Sequence, residues 1–126
     1  MGKVSFLSDD ISPMQEISKK LAMELGPYVE SSDYFPKRIN MQLLKVIDRS
    51  NIKIEIYERG AGYTLASGSS SCAAASVAYK LGLVDNKITV HMPGGNLDIE
   101  IKEDWMVNMI GPVKNVGTII LDEDFF

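Results

Sequence analysis

Only one cysteine, one histidine and one tryptophan occur among the 126 residues of this chain. A lone cysteine admits no intrachain disulfide, so the fold rests on noncovalent packing and a reducing cytoplasm is its natural compartment. One histidine and one cysteine among dispersed carboxylates give no metal-site spacing. No apolar run approaches the ~20 residues that a membrane-spanning helix needs. Met1 to Ser8 lacks the basic start and long apolar core of a secretory leader, so no membrane partner is expected. Basic residues are also short: 13 Lys and Arg against 17 Asp and Glu give a net charge of -4 and a pI near 4.9. Phosphate backbones need a basic face, so no nucleic-acid partner is expected. Small acidic or zwitterionic ligands stay open if cations are concentrated locally. What is present is ordinary for a soluble globular protein, with 45% hydrophobic and 24% charged residues. A chain of this length buries roughly two thirds of its unfolded surface, enough for one core, and reads as a single domain over 1–126.

Turn signals divide the chain into short strands and two helices. Val4 to Leu7 is β-like. Ser12-Pro13-Met14-Gln15 reads as a helix start, with a serine cap, proline at the first helical position and a capping-box glutamine. Met14, Ile17, Leu21 and Leu25 recur at helical spacing, and Gly26-Pro27 is expected to end this amphipathic helix. Tyr28 to Lys37 reads as a loop. Ile39 to Asp48 and Ile52 to Tyr57 are strands joined through Arg49-Ser50-Asn51 as a hairpin. A second helix is expected over about Ser71 to Leu81, stopped by Gly82. Ala73, Ala74, Ala75 and Ala78 leave it almost uncharged until Lys80, so it is expected to be enclosed on most sides. Lys87 to Met92, the turn Pro93-Gly94-Gly95, Asn96 to Lys102, Trp105 to Ile110 and a last strand Val116 to Leu121 complete the pattern. The expected class is α+β, a mainly antiparallel sheet curled around a central helix.

The stretch Glu58 to Ala75, ERGAGYTLASGSSSCAAA, carries the chemistry. It sets a glycine- and serine-rich loop directly before a small-residue helix. Unpartnered N–H groups and the helix dipole favour a carboxylate or phosphate there. Taken alone, Glu58 and Arg59 read as an exposed ion pair worth little. The motif that follows makes them a charge pair suited to a zwitterion. Ser67 to Ser71 also admits a plainer reading as a helix-capping loop. Cys72 reads as a small structural thiol, and His91 as a surface or satisfied histidine.

The order E-R-G-x-G-x-T-x-A-x-G-x-x-x-C-A resembles the signature of diaminopimelate epimerase around the second of its two catalytic cysteines. ELGPYVESSDYFPKRIN resembles the stretch before that family's central hairpin, and HMPGGNLDIEI with VNMIGPV resembles its closing strands. Together these correspond to roughly the second half of an epimerase, with the first domain and its own cysteine outside the chain. The resemblance implies two similar domains, each a strand layer around a helix, and cofactor-independent inversion of LL- to meso-diaminopimelate for lysine and peptidoglycan precursor synthesis. It places the catalytic position on Ser67, where the family has cysteine. It assigns substrate binding to Asn40, Glu58 and Arg59 at the distal amino-acid end, and to Gly68 and Ser69 through backbone N–H groups at the reacting centre. At the amino end the chain reads Leu7-Ser8-Asp9-Asp10 where the family has Gly-Asn-Pro-His.

Inversion by deprotonation and reprotonation needs a base on one face of the α-carbon and an acid on the other. A thiol beside a helix N-terminus serves both roles, whereas a serine hydroxyl without a partner base does not. The expectation is therefore a small-molecule amino-acid ligand, no cofactor, a partner first domain, and no epimerase activity from this chain alone. A half-enzyme with its domain face exposed is also open to self-association. Two alternatives stand beside this: a related racemase or isomerase of another amino acid, and a non-catalytic carboxylate-binding domain.

Overall fold

The computed structural model describes residues 3–7 and 16–125. Seven strands form one sheet: β1 (Lys3–Leu7), β2 (Asn40–Asp48), β3 (Asn51–Glu58), β4 (Gly62–Thr64), β5 (Lys87–Met92), β6 (Gly95–Ile101) and β7 (Val107–Ile110). Their order is β1-β2-β3-β5-β6-β7, with β4 paired to β3 beside β5. β1 lies parallel to β2 and β3 parallel to β5, while the other pairings are antiparallel. The free edge of β3 is shared: β5 takes Asn51 to Lys53 and β4 takes Ile56 to Glu58.

Period-two alternation divides the sheet into two buried faces. Ile52, Ile54 and Ile56 of β3 join Leu44, Val90, Ile99 and Ile101 against helix α2 (Gly68–Lys80), which presents Ala74, Ala75 and Ala78. These alanines leave no side-chain bulk to hold the helix off the strands. On the other face Met41 and Leu43 pack with Ile17, Leu21 and Ala22 beneath helix α1 (Lys19–Glu30). The expected α+β class, a sheet curled around an alanine-rich helix, is the architecture observed.

Several expected boundaries move, each for a physical reason. Ser12 to Gln15 lie outside the described residues. Within them α1 begins at Lys19, capped by Ser18, whose hydroxyl accepts from the Leu21 N–H at 3.1 Å. Gly26-Pro27 does not stop it. The helix continues to Glu30, so Tyr28 to Glu30 are helical rather than loop, and Ser31 closes the last turn by donating through its N–H and its hydroxyl to the Pro27 carbonyl. Gly26 is there for another reason: a Cβ at this position would meet the Tyr57 ring at 2.2 Å. The helix α2 starts at Gly68 rather than Ser71, because Ser67 is its cap, and it ends before Gly82, whose φ of +73° suits glycine. β4 had no counterpart in the sequence reading. Trp105 has φ +64° and stands outside β7, with its ring edge against Tyr79. The expected last strand from Val116 to Leu121 is not formed. Those residues run without secondary structure, with Val116, Ile119 and Ile120 exposed. A β-rich composition makes a strand only where its side chains pack on a half-buried surface, and these residues do not. One turn of 3-10 helix, Glu123–Phe125, follows.

Candidate functional site

The hairpin register builds the site. Met41 pairs with Tyr57, so Asn40 at the start of β2 lies beside Glu58 at the end of β3. The parallel pairing of β1 puts Lys3 opposite Asn40. The first turn of α2 passes over the same end of the sheet. Lys3, Asn40, Glu58, Arg59 and Ser69 thereby line one cavity of about 290 Å³.

The turn that presents Arg59 is braced from several sides. The Arg59 N–H donates to Asn40 Oδ1 at 2.7 Å, and its guanidinium donates through Nη1 to the Lys37 carbonyl at 2.7 Å. Asn40 is buried, at 3% exposure, so this amide braces the cavity wall as well as lining it. Glu30 at the end of α1 accepts from the Gly60 N–H at 3.0 Å and from Arg38 Nη1 at 3.4 Å. Gly60 has φ +76°, and a Cβ there would meet nothing within 4 Å, so glycine answers a backbone requirement rather than a steric one. Glu58 and Arg59 do not form an ion pair with each other among the described residues. Both residues line the cavity.

Ser67 caps α2 with extended backbone, φ -154°. Its hydroxyl accepts from the Ser70 N–H at 3.4 Å and lies 3.4 Å from Ser69 Oγ. The N–H groups of Gly68 and Ser69 open the helix and have no intrahelical acceptor. Ser67 and Gly68 border a neighbouring hollow of about 240 Å³, together with Ala66, Met92, Asn96 and Pro112. A Cβ on Gly68 would meet Met109 Sδ at 2.8 Å, so β7 lies against the start of the helix. The six residues singled out from the sequence therefore share one end of the domain. Asn40, Glu58, Arg59 and Ser69 surround one cavity, and Ser67 and Gly68 border the next, with the Ser67–Ser69 contact between them.

Sequence reasoning missed the layer behind these residues. Gln42 and Ser70 are completely buried. Ser70 Oγ accepts from Gln42 Nε2 at 3.0 Å and from Lys3 Nζ at 3.1 Å, and Ser5 Oγ donates to Gln42 Oε1 at 3.2 Å. Lys3 and Gln42 carry no local signal, because parallel strand pairing across a long connection brings them there. The other two reactive side chains lie elsewhere. Cys72 is half-buried, packs against the α2-side core, and has its thiol pKa raised by burial. His91 Nε2 is 2.8 Å from Asn51 Oδ1, a satisfied histidine as expected. Among the described residues no group of His, Cys, Asp and Glu is gathered as a metal ion requires. No helix of the described residues is long and apolar enough to cross a membrane.

The sequence profile of the family described as Diaminopimelate epimerase matches residues 7–116. This chain belongs to the diaminopimelate epimerase family. It is 50% identical over 113 residues to Diaminopimelate epimerase 2 of a Nostoc species, covering 90% of this chain and 40% of that protein. It is 41% identical over 102 residues to the diaminopimelate epimerase of Acinetobacter baumannii, covering 81% of this chain and 36% of the relative. The chain thus spans well under half the length of these epimerases. In fold it is similar to a PhzF-family phenazine biosynthesis protein from Enterococcus faecalis, with a TM-score of 0.58 at 11% identity over 80% of this chain and 34% of that one. A phenazine biosynthesis protein from Clostridium difficile gives 0.55 at 12% identity, with the same coverage. At these identities the likeness concerns the fold alone, a sheet wrapped on a helix, which the epimerase-family domain shares with them.

Proposed function

We propose that this chain is the ligand-gripping half of a cofactor-independent amino-acid epimerase of the diaminopimelate type, and that it has no epimerase activity by itself. The observation that carries this reading is the gathering of Asn40, Glu58, Arg59 and Ser69 around one cavity at the start of α2. In it, Glu58 takes the distal ammonium and Arg59 the distal carboxylate. The N–H groups of Gly68 and Ser69 hold the carboxylate next to the reacting carbon, where the helix dipole adds to their attraction. Asn40 holds the Arg59 backbone in register. The relatives it covers by 36% and 40% support a partner domain bringing the opposite face of the site.

Proton transfer is where this chain falls short. Ser67 stands at the position of the thiol, and its hydroxyl neighbours are the Ser70 N–H and Ser69 Oγ, neither of them a base. A hydroxyl without an adjacent base does not become a nucleophile or a proton acceptor near neutral pH. Removal and return of an α-proton therefore need groups that this chain does not supply. The same observation favours a second reading, a carboxylate-binding domain without catalysis.

Deuterium incorporation at Cα in heavy water separates these readings. The chain alone should leave LL-diaminopimelate unlabelled while binding it in a titration followed by amide chemical shifts. Joined to a first domain and carrying Ser67→Cys, it should label and invert the substrate. Labelling by the unaltered chain alone would overturn the claim of inactivity, and absence of binding to any amino acid would overturn the claim of a ligand site.

A further inference from the structure

We propose that the turn between β5 and β6 is the positioning element of the proton-transfer site, with Gly94 and Met92 as the residues that hold the backbone at position 67. The inference rests on the reading of Ser67 as the proton-transfer position and deepens it by naming what aims that side chain.

The backbone is fixed on both sides of position 67. The Ser67 carbonyl accepts from the Ser71 N–H at 3.0 Å and from Ser71 Oγ at 2.8 Å, and Ser71 is completely buried. These contacts belong to α2 itself. The contacts ahead of position 67 come from a distant part of the chain. The Ser67 N–H donates to Met92 Sδ at 3.5 Å, and the same sulfur lies 3.2 Å from Ser71 Oγ. A thioether is a weak acceptor, yet this one is held still, because Met92 is buried in the core under α2. Two residues before Ser67, the Leu65 carbonyl accepts from the Gly94 N–H at 2.8 Å.

Gly94 answers a steric requirement. Its φ is not positive, but a Cβ on it would lie 2.9 Å from the Leu65 carbonyl oxygen and 3.1 Å from Ala66 Cβ. Turn and loop are in direct backbone contact, with no flexible side chain between them to absorb a displacement. The next glycine differs. Gly95 has φ +140°, and a Cβ on it would meet nothing within 4 Å, so it shapes the turn without touching the loop. The Ser67 hydroxyl sits 3.4 Å from the Ser70 N–H, at the long end for a hydrogen bond, so a small retreat of the loop breaks that contact. A helix start lowers the pKa of a thiol only when the sulfur is aimed at its N–H groups. The aim of the side chain at position 67 therefore sets its proton affinity.

The full chain carrying Ser67→Cys supplies the readout. This is the pH at which the introduced thiol becomes half-reactive toward iodoacetamide, followed by peptide mass spectrometry with Cys72 as internal reference. Gly94→Ala, Met92→Leu and Gly95→Ala are each added to it, and melting curves check that each protein is folded. Gly94→Ala and Met92→Leu should raise the midpoint at position 67 by about one pH unit, part of the lowering that a helix start gives a thiol, and leave that of Cys72 in place. Gly95→Ala should lower the melting temperature through its strained φ and leave the midpoint at position 67 unmoved. If Gly94→Ala does not fold, Met92→Leu decides alone, because the two side chains are close in volume. Unchanged midpoints in the folded variants, or a rise in Gly95→Ala equal to that in Gly94→Ala, overturn the assignment. No ligand and no turnover enter the measurement, so the amino-acid reading stands or falls separately with the LL-diaminopimelate titration.

Discussion

Replacing Gly26 by alanine should destabilise the protein, although alanine is the better helix former. An ideal Cβ at this position lies 2.2, 2.4 and 2.6 Å from Tyr57 Cγ, Cδ2 and Cδ1, where carbon atoms in contact sit roughly 3.5–4.0 Å apart. The ring or the helix must therefore retreat by more than about an ångström in a packed layer. Overpacking of this kind costs about 1–3 kcal/mol. A helix-interior Gly→Ala change returns at most roughly 1 kcal/mol, and less before Pro27, whose ring crowds the preceding Cβ. With a clash this deep the upper end of the overpacking range applies, and the net loss is about 2 kcal/mol, or roughly 8 °C in melting temperature. Thermal and urea unfolding measure it directly. A double-mutant cycle with Tyr57→Ala tests the cause, because in that background most of the Gly26→Ala penalty should vanish, leaving the smaller cost of a Cβ before Pro27. A neutral or stabilising Gly26→Ala in the wild type, or an equal penalty in both backgrounds, would refute the argument. The change also reaches the cavity, since a shifted α1 carries Glu30 away from the Gly60 N–H that it holds at 3.0 Å.

Other consequences are equally direct. Asn40→Ala removes the acceptor of the Arg59 N–H and should cost about 1–3 kcal/mol in urea unfolding; an unchanged urea midpoint would count against the bracing role. Tyr63 is held neutral by burial, then by its 2.6 Å hydrogen bond to Glu55 and the charge of that carboxylate, which together push its pKa up to about 12. Its folded pKa lies above the unfolded value near ~10. Its contribution to stability is thus complete below about pH 10 and lost as pH rises toward about 12. Tyr63→Phe should be less stable at neutral pH and should lack this part of the alkaline decline in urea midpoint; parallel pH profiles for the two proteins would count against it. The thiol introduced by Ser67→Cys, at a helix cap, should be alkylated by iodoacetamide at least about tenfold faster than Cys72, whose thiol burial disfavours ionisation. Peptide mass spectrometry resolves the two sites, and faster labelling of Cys72 would contradict the placement of Ser67.

The parts of the fold legible in the sequence are those specified within a few residues of themselves. The β2–β3 hairpin follows from alternating isoleucines around a short polar turn, and its register follows from that alternation, because a slip of one residue would turn Ile52, Ile54 and Ile56 to the wrong face. Gly82 likewise ends α2 through a backbone conformation that it adopts by itself. Gly26-Pro27 misled because the reason for the glycine is a tyrosine on a distant strand. Val116 to Leu121 misled because β-propensity is a context-dependent preference for a packed, half-buried surface, and these residues run exposed without pairing to the sheet.

The candidate site divides in the same way. By itself the sequence determined the family and the cap, loop and charge residues from Glu58 to Ser69, since an N-terminal helix cradle is written in contiguous residues. The resemblance read from it also implies a hydroxyl, that of Ser67, where the family has a thiol. Only the tertiary structure decided what surrounds them. Parallel pairing of β1 with β2 set Lys3 opposite Asn40, and the packing of α2 on the sheet buried Ser70 against Gln42 and brought the Lys3 ammonium to it. Such contacts join residues far apart in the chain, and their energy comes from burial and strand pairing rather than from any local preference, so no stretch of sequence announces them.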